Sequence, residues 1–428
     1  MEDNIGHFLA ENTVDYFRFQ WVDHSGVAHA KVIPKTHCLS LAASDGTLSI
    51  AQNCLIVPIA TAPECYPAGP ERWTLHPDWN SLRVCGFRPN HALVMCFLNR
   101  AEPHCGVEFG RCPRMALQRA LDAFGDKAQI LLGYEIEFVL LNEESELVKP
   151  LDRVTGYANM AGLRGVGMLI MEDICTALDR SGILVHDFQT EVPDHLEITL
   201  QPMSPMQAID SPILAQEAIR TLAISHNVKA SLAPRPVFNG PQSGLHAHFS
   251  LNPSPENINF FLQGLLENIK SLCAFGMPHV DSYLRVVDDG AGCFIEWGTE
   301  NRDMPIRRVT DDHWELRISD ATANQYLFMA AVISAGIEGM EIGAQLRYKD
   351  CMEFQENLTK EKLATLGMSE EMPKCLEETI LAAKHSKVLL RRMGEELLAE
   401  YVKVKEKEVE KFRGVPDNDR RKKYLAIF

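Results

Sequence analysis

Glutamate and histidine recur at alternate positions in several short runs of this sequence. In Gly133-Tyr134-Glu135-Ile136-Glu137-Phe138 the period of a strand puts Glu135 and Glu137 on one face, about 7 Å apart, and Ile136 and Phe138 on the other. Gly244-Leu245-His246-Ala247-His248-Phe249-Ser250 sorts the same way, into His246, His248 and Ser250 against Leu245, Ala247 and Phe249. Leu196-Glu197-Ile198 carries a lone carboxylate with Glu191 just upstream, and Trp314-Glu315-Leu316-Arg317 pairs Glu315 with Arg317. Taken singly, each run reads first as a half-exposed sheet with its polar side in water. Together, five glutamates and two histidines displayed by strands form a concave acidic site if the sheet is curved, and carboxylates so gathered need cations. Hard oxygen donors with one imidazole suit Mg²⁺ or Mn²⁺ better than zinc. Two ions are expected, because six ligands exceed what one Mg²⁺ that keeps its waters would use.

Arginines follow between 285 and 317: Arg285, Arg302, Arg307, Arg308 and Arg317. In a chain of formal net charge −16 such a group beside carboxylates calls for an anion, with phosphate the first candidate. No GxxxxGK[ST] loop or kinase signature is present, so a nucleotide would be held by metal and arginine. The acidic balance argues against a surface built for nucleic acid or anionic membrane.

The elements that must position these residues follow from pattern and punctuation. The 428 residues are 46% apolar and 23% charged, which is the composition of a globular protein and allows two or three domains. β-like runs such as 16–22 and 92–98, broken by Pro, Gly, Asn and Asp, predict a small N-terminal sheet domain over 1–104. Pro113 then opens a helix that Gly125 closes, and the remainder, 105–428, alternates strands (129–141, 183–188, 195–201) with helices (168–181, 212–225, 257–275), an α+β pattern. The apolar stretch 326–337 is too short to span a membrane and reads as a buried helix. Residues 376–412 have apolar positions at helical spacing among dense Lys and Glu, and predict a solvated helix packed along one stripe. The twelve cysteines show no CxxC spacing, and MEDNIGHFLAEN has no signal-like character, so reduced thiols and a cytoplasmic setting are expected.

The residues, in this order, resemble the glutamine synthetase family, nearer its bacterial-type and fungal members than the animal enzyme. GYEIEF, GLHAHFS, SYLRV, WGTENRDMPIRR and LRISDATANQYL are similar to five of its catalytic signatures, and FRFQWVDHSGVAHAKVIP to its N-terminal β-grasp domain. The resemblance implies a small β-grasp domain plus a large catalytic domain with a curved antiparallel sheet. It implies that Glu137, Glu191 and Glu197 hold one divalent ion and Glu135, His246 and Glu315 another. Arg302 and Arg307 would stabilise the transferring phosphoryl group, with His248 and Ser250 near the nucleotide, while Arg285 and Arg317 grip the carboxylate substrate. ATP would activate a carboxylate as an acyl phosphate for attack by an amine. A ring-type homo-oligomer, a dodecamer or similar, with active sites shared between subunits, is implied too.

Departures from the family bear on the substrate. The segment from Glu191 to Glu197 is shorter, Pro234-Arg235-Pro236 has Arg for Lys, Pro241-Gln242 replaces an Asn-Gly pair, and Ala291 stands where the flap carries Glu. The N-terminal ammonium-binding Asp has no counterpart around SIAQNC. The sequence therefore predicts an ATP-dependent carboxylate–amine ligase that forms an amide, of γ-glutamyl type or related, from an amine other than ammonia. Two alternatives stand beside it: a glutamine synthetase that uses ammonia through Asp288 or Asp289, and a catalytically silent structural or regulatory member.

Overall fold

The computed structural model describes residues 2–59, 72–100, 110–148, 156–192, 194–256, 258–288, 290–366 and 370–428. Two sheets organise them. The smaller has six strands, with His91–Arg100 at its centre, parallel to Tyr16–Val22, which is in turn antiparallel to Ala28–Pro34. It closes over its own core of Phe17, Phe19, Trp21, Trp73, Leu75 and Val94. The expected boundary at 104/105 lies outside the described residues.

The larger sheet has eight strands and runs Trp297–Thr299, Ile306–Thr310, His313–Leu316, Leu245–Asn252, Gln129–Leu141, His195–Leu200, Val185–Thr190, with Lys229–Ser231 on the far end of the long central strand. Every pairing is antiparallel except that of the first two strands, which are parallel. One face is apolar: Ile136, Phe138, Ile198, Leu245, Ala247 and Leu316 are buried in a core shared with the helices Pro113–Phe124, Val166–Arg180, Pro205–Ser225, Ile258–Gly276 and Gln325–Ile342. The 326–337 stretch is the buried helix expected of it, capped by Asn324, whose Oδ1 accepts from the Leu327 amide at 3.2 Å. No helix among the described residues is long and apolar enough to cross a membrane.

The C-terminal region departs from expectation. Residues 376–412 form three helices, Leu376–His385, Lys387–Met393 and Glu395–Phe412. Ser386 leaves the first in an extended conformation and caps the second, its Oγ accepting from the Leu389 amide, while Gly394 at φ 93° sets the turn into the third. The third helix keeps the expected solvated face, with Lys403, Glu406, Lys407 and Glu410 exposed, but two of its charged residues, Lys405 and Glu408, are fully buried. Glu408 Oε1 accepts from Ser25 Oγ (2.7 Å) and the Ile59 amide (2.9 Å), and its Oε2 accepts from Lys405 Nζ (2.8 Å) and lies 3.4 Å from His279 Nδ1. One carboxylate thus joins the small sheet, the last long helix and the turn Val280–Arg285 that leads into the site. A second clamp joins Arg114 to Asp78 (2.6 Å), Asp210 and Tyr326.

Burial acts to raise the Glu408 carboxyl, but Lys405 and His279 outweigh it and hold it down at about 2. A carboxyl depressed in the folded state contributes stability above its unfolded pKa and loses that contribution as pH falls through the folded value. Acid unfolding should therefore draw on this group between about pH 4.5 and pH 2. Glu408→Ala should cost roughly 3–5 kcal/mol in urea unfolding, because Lys405 is left buried and unpaired, whereas Lys405→Met with Glu408→Leu should recover much of the loss. Equal stability of Glu408→Ala and the wild type would contradict this assignment.

Candidate active site

Register in the larger sheet assembles the site in rows. Glu135 lies opposite His246 on one side and Thr199 on the other, Glu137 opposite Glu197, and Glu315 between His248 and Arg307. Opposed residues stand about 5 Å apart at Cβ, so residues distant in sequence become neighbours. The alternation read from sequence holds: Glu135, Glu137, His246 and His248 share the face opposite the apolar core. Glu135, Glu137 and His246 border a cleft of about 450 Å³, which Glu191 and Glu197 also line, whereas His248 lies outside the lining.

Two groups of donors result. Glu135, His246 and Glu315 bring one ligand atom each to within 4.8 Å of one another. His246 Nδ1 is 3.3 Å from Glu135 Oε2 and 3.1 Å from Glu315 Oε1, and His248 Nε2 is 3.1 Å from Glu135 Oε1. In the second group Gln189 Nε2 donates to Glu197 Oε1 (2.9 Å) and Glu191 Oε1 (3.3 Å), while Glu137 Oε2 accepts from the Gly244 amide (2.8 Å). Gly244 is required there, since a Cβ would lie 2.6 Å from His246 Nε2 and 2.9 Å from Arg285 Nη2. The donor chemistry, oxygen-rich with one imidazole, fits hard divalent ions. Gln189 was not singled out from sequence, although its spacing of two from Glu191 on a strand is the signal that would have found it.

The arginines divide by partner. Arg307 Nη1 donates to Glu315 Oε2 (3.0 Å) and Nη2 to Glu300 Oε2 (2.7 Å); Arg317 Nη1 donates to Glu315 Oε1 (2.7 Å) and Nε to the Gly290 carbonyl (3.1 Å). Arg285 is buried and donates to the carbonyls of Ser319 (2.8 Å) and Arg317 (3.0 Å). Arg302 stands exposed on the cleft wall with no ion pair to another described residue. Ser250 is opposite His313, beyond His248 and outside the cleft lining. Arg308 faces Asp311, and Arg235 stacks on Phe238 at 4.6 Å and pairs with Asp417, so neither reaches the cleft. Gln242 does line it.

The flap differs from the sequence-based picture. Ala291 is fully buried and its amide donates to the Arg285 carbonyl at 2.6 Å, so position 291 faces the core. Val287, Asp288 and Gly290 line the cleft instead, and Asp289 lies outside the described residues.

Electrostatics follow from crowding. Burial, with Glu137 next, pushes the Glu191 carboxyl up to about 7, and burial, with Glu135 and Glu137 next, pushes Glu197 up to about 9. Against burial and Arg317, which act to lower it, Glu135 and Glu315 push the His246 imidazole up to about 9. Burial acts to raise Glu135 and Glu315 too, but histidine contacts, and for Glu315 the Arg317 charge ahead of them, hold both below the usual carboxylate range.

Sheet, cleft and helical backing are those of the glutamine synthetase fold. A complex of GmaS with ADP shares it at a TM-score of 0.83 over 97% of this chain and 98% of that one, with 22% identity. A novel glutamine synthase homolog shares it at 0.79 over 97% and 99%, with 24% identity. The glutamine synthetase catalytic domain profile matches residues 110–424, and the chain belongs to the glutamine synthetase family, whose members are ATP-dependent ligases that use divalent metals. Protein fluG of Emericella nidulans is 28% identical over 98% of this chain, which spans half of fluG. Glutamine synthetase of Methanococcus voltae is 26% identical over 98% of both chains.

Carboxyls raised by the fold favour the protonated folded state, so without metal the folded form loses stability as pH rises from about 4.5 to about 7 at Glu191 and to about 9 at Glu197. The raised His246 acts in the same direction, since its protonated form stabilises the fold below about 9. Metal ligands must be deprotonated, so Mg²⁺ or Mn²⁺ should release protons on binding at pH 7 and bind more tightly as pH rises. The gain in Tm on adding Mn²⁺ should grow from pH 6 to pH 9. Calorimetry in buffers of different ionisation enthalpy checks the proton release, and uptake without released protons would contradict this electrostatic account.

Proposed function

We propose that the chain is an ATP-dependent carboxylate–amine ligase that forms an amide, of γ-glutamyl type or related, from an organic amine rather than ammonia. The carboxylate oxygen attacks the γ-phosphorus of ATP and releases ADP; the amine nitrogen then attacks the acyl carbon and expels phosphate. Glu137, Glu191 and Glu197 would hold one Mg²⁺ or Mn²⁺ and Glu135, His246 and Glu315 a second, and these ions supply positive charge to phosphate and carboxylate oxygens. Arg302 is assigned to the transferring phosphoryl group, supported by its lack of another partner among the described residues. Arg307 and Arg317 set the orientation of Glu315, and Arg317 with Arg285 borders the carboxylate. His248 and Ser250 are assigned to the nucleotide side.

The observation that carries the choice of amine is the flap. Ammonia and an organic amine both arrive protonated and need an acid to hold them; position 291 offers neither an acidic side chain nor a path to the cleft, and the flap instead presents Val287, an apolar contact that a carbon substituent can use and ammonia cannot. In a phosphate-release assay with ATP, Mg²⁺ and panels of acids and amines, at least one primary organic amine should give a higher kcat/KM than ammonia. Asp288→Ala should leave that amine the preferred one. Ammonia as the best nucleophile across the panel would establish the glutamine synthetase reading, and no turnover with any pair would establish the silent one.

A ring-type homo-oligomer belongs to this reading. Light scattering should give a mass of many chains, and a fully active monomer would contradict sites shared between subunits.

A further inference from the structure

His313 plays no part in the proposed reaction, yet it meets His248 head-on. His248 Nδ1 and His313 Nε2 are 2.8 Å apart, with the rings 5.0 Å between centroids and tilted by 55°. Two imidazole nitrogens at that distance share one proton, so one donates and the other accepts. On the far side of the ring, His248 Nε2 lies 3.1 Å from Glu135 Oε1. A carboxylate behind a histidine is the usual support of a metal-bound imidazole.

We propose that His248 and His313 form a binding site for a nitrogen-preferring divalent transition metal of the Ni²⁺, Cu²⁺ or Zn²⁺ class. The site is separate in atoms from the oxygen-rich cluster: it uses His248 Nδ1 and His313 Nε2, whereas the cluster uses Glu135, His246 and Glu315. Replacing the shared proton by a cation about 2.1 Å from each nitrogen needs the two nitrogens to open to about 3 Å at the right angle of a tetragonal Cu²⁺ or Ni²⁺ and to about 3.4 Å at a tetrahedral Zn²⁺. The backbone already holds them in place, because His313 and Ser250 are directly opposed on adjacent strands and His248 is two residues along. Both side chains are half-buried, which leaves the remaining coordination positions to water. Imidazole suits this class of ion and not Mg²⁺, so the pair takes up a different cation from the carboxylates beside it.

The proposal stands independently of the ligase reading, and its test reads binding alone. The full chain is held in excess Mg²⁺ and titrated with Ni²⁺ by calorimetry, and Cu²⁺ is examined by electron paramagnetic resonance. The wild type should take up Ni²⁺ at least tenfold more tightly than His313→Gln, and its Cu²⁺ spectrum should show two imidazole nitrogens where the variant shows fewer. His313→Cys, which restores a donor at the same place, should recover uptake and thereby separate loss of the site from loss of folding. Equal Ni²⁺ uptake by the wild type and His313→Gln, or a Cu²⁺ spectrum unchanged by the substitution, would overturn the assignment.

Discussion

Repulsion among carboxylates on one face of one sheet is the constraint around which the rest is arranged. Two unit charges 4 Å apart interact by roughly 4 kcal/mol at the effective dielectric of a protein surface, and Glu135, Glu137, Glu191 and Glu197 line a single cleft. The chain meets this cost with neutral donors and fixed cations. Gln189 stands between Glu191 and Glu197, the Gly244 amide satisfies Glu137, and His246 lies between Glu135 and Glu315. What those contacts leave unbalanced appears as protons retained by Glu191 and Glu197 near neutral pH. A divalent cation replaces those protons with a larger charge at the same oxygens.

The arginines are best understood from the same constraint. Arg307 and Arg317 each bond a different oxygen of Glu315, so the most deeply buried carboxylate of the site is fixed in plane by two guanidinium groups. Arg285 in turn holds the backbone on either side of Arg317's own strand end through the carbonyls of Arg317 and Ser319. Four of the five arginines picked out by residue type, Arg308 with its partner Asp311 included, therefore act first on the protein itself. Arg302, on the cleft wall, is the one left to meet an incoming anion. The buried Glu408 network lies behind this arrangement, since His279 joins it immediately before the turn that carries Arg285.

Strand periodicity made the acidic face legible from sequence, because alternation is a local property and one buried face enforces it. Glu135, Glu137, His246 and Glu315 are legible that way, and the buried helix Gln325–Ile342 by its apolar run, which only Ser334 and Gly336 interrupt between 326 and 337. Pairing between strands distant in sequence was not legible. Gln189 gains meaning only opposite Glu197, and His313 only beside His248. The C-terminal region misled for a different reason. Its Lys and Glu spacing is that of a solvated helix face, and nothing local reveals that Lys405 and Glu408 face Ser25 and His279 from other parts of the chain.

The flap shows how far a motif position can move from its expected role. Its backbone is tied through the Ala291 amide to the Arg285 carbonyl and through the Gly290 carbonyl to Arg317 Nε, and Arg317 in turn bonds Glu315. Through Arg317 the loop over the cleft is thus continuous with a carboxylate of the cation cluster. A longer acidic side chain at 291 would have to enter a fully buried space beside the Arg285 backbone, where a carboxylate is costly without a partner. Under the proposed reading, selection of the nitrogen substrate falls to Val287 on the flap and to Gln242, which also lines the cleft. Under that reading the apolar side chain of Val287 would meet the carbon chain of an organic amine, a contact that ammonia cannot make.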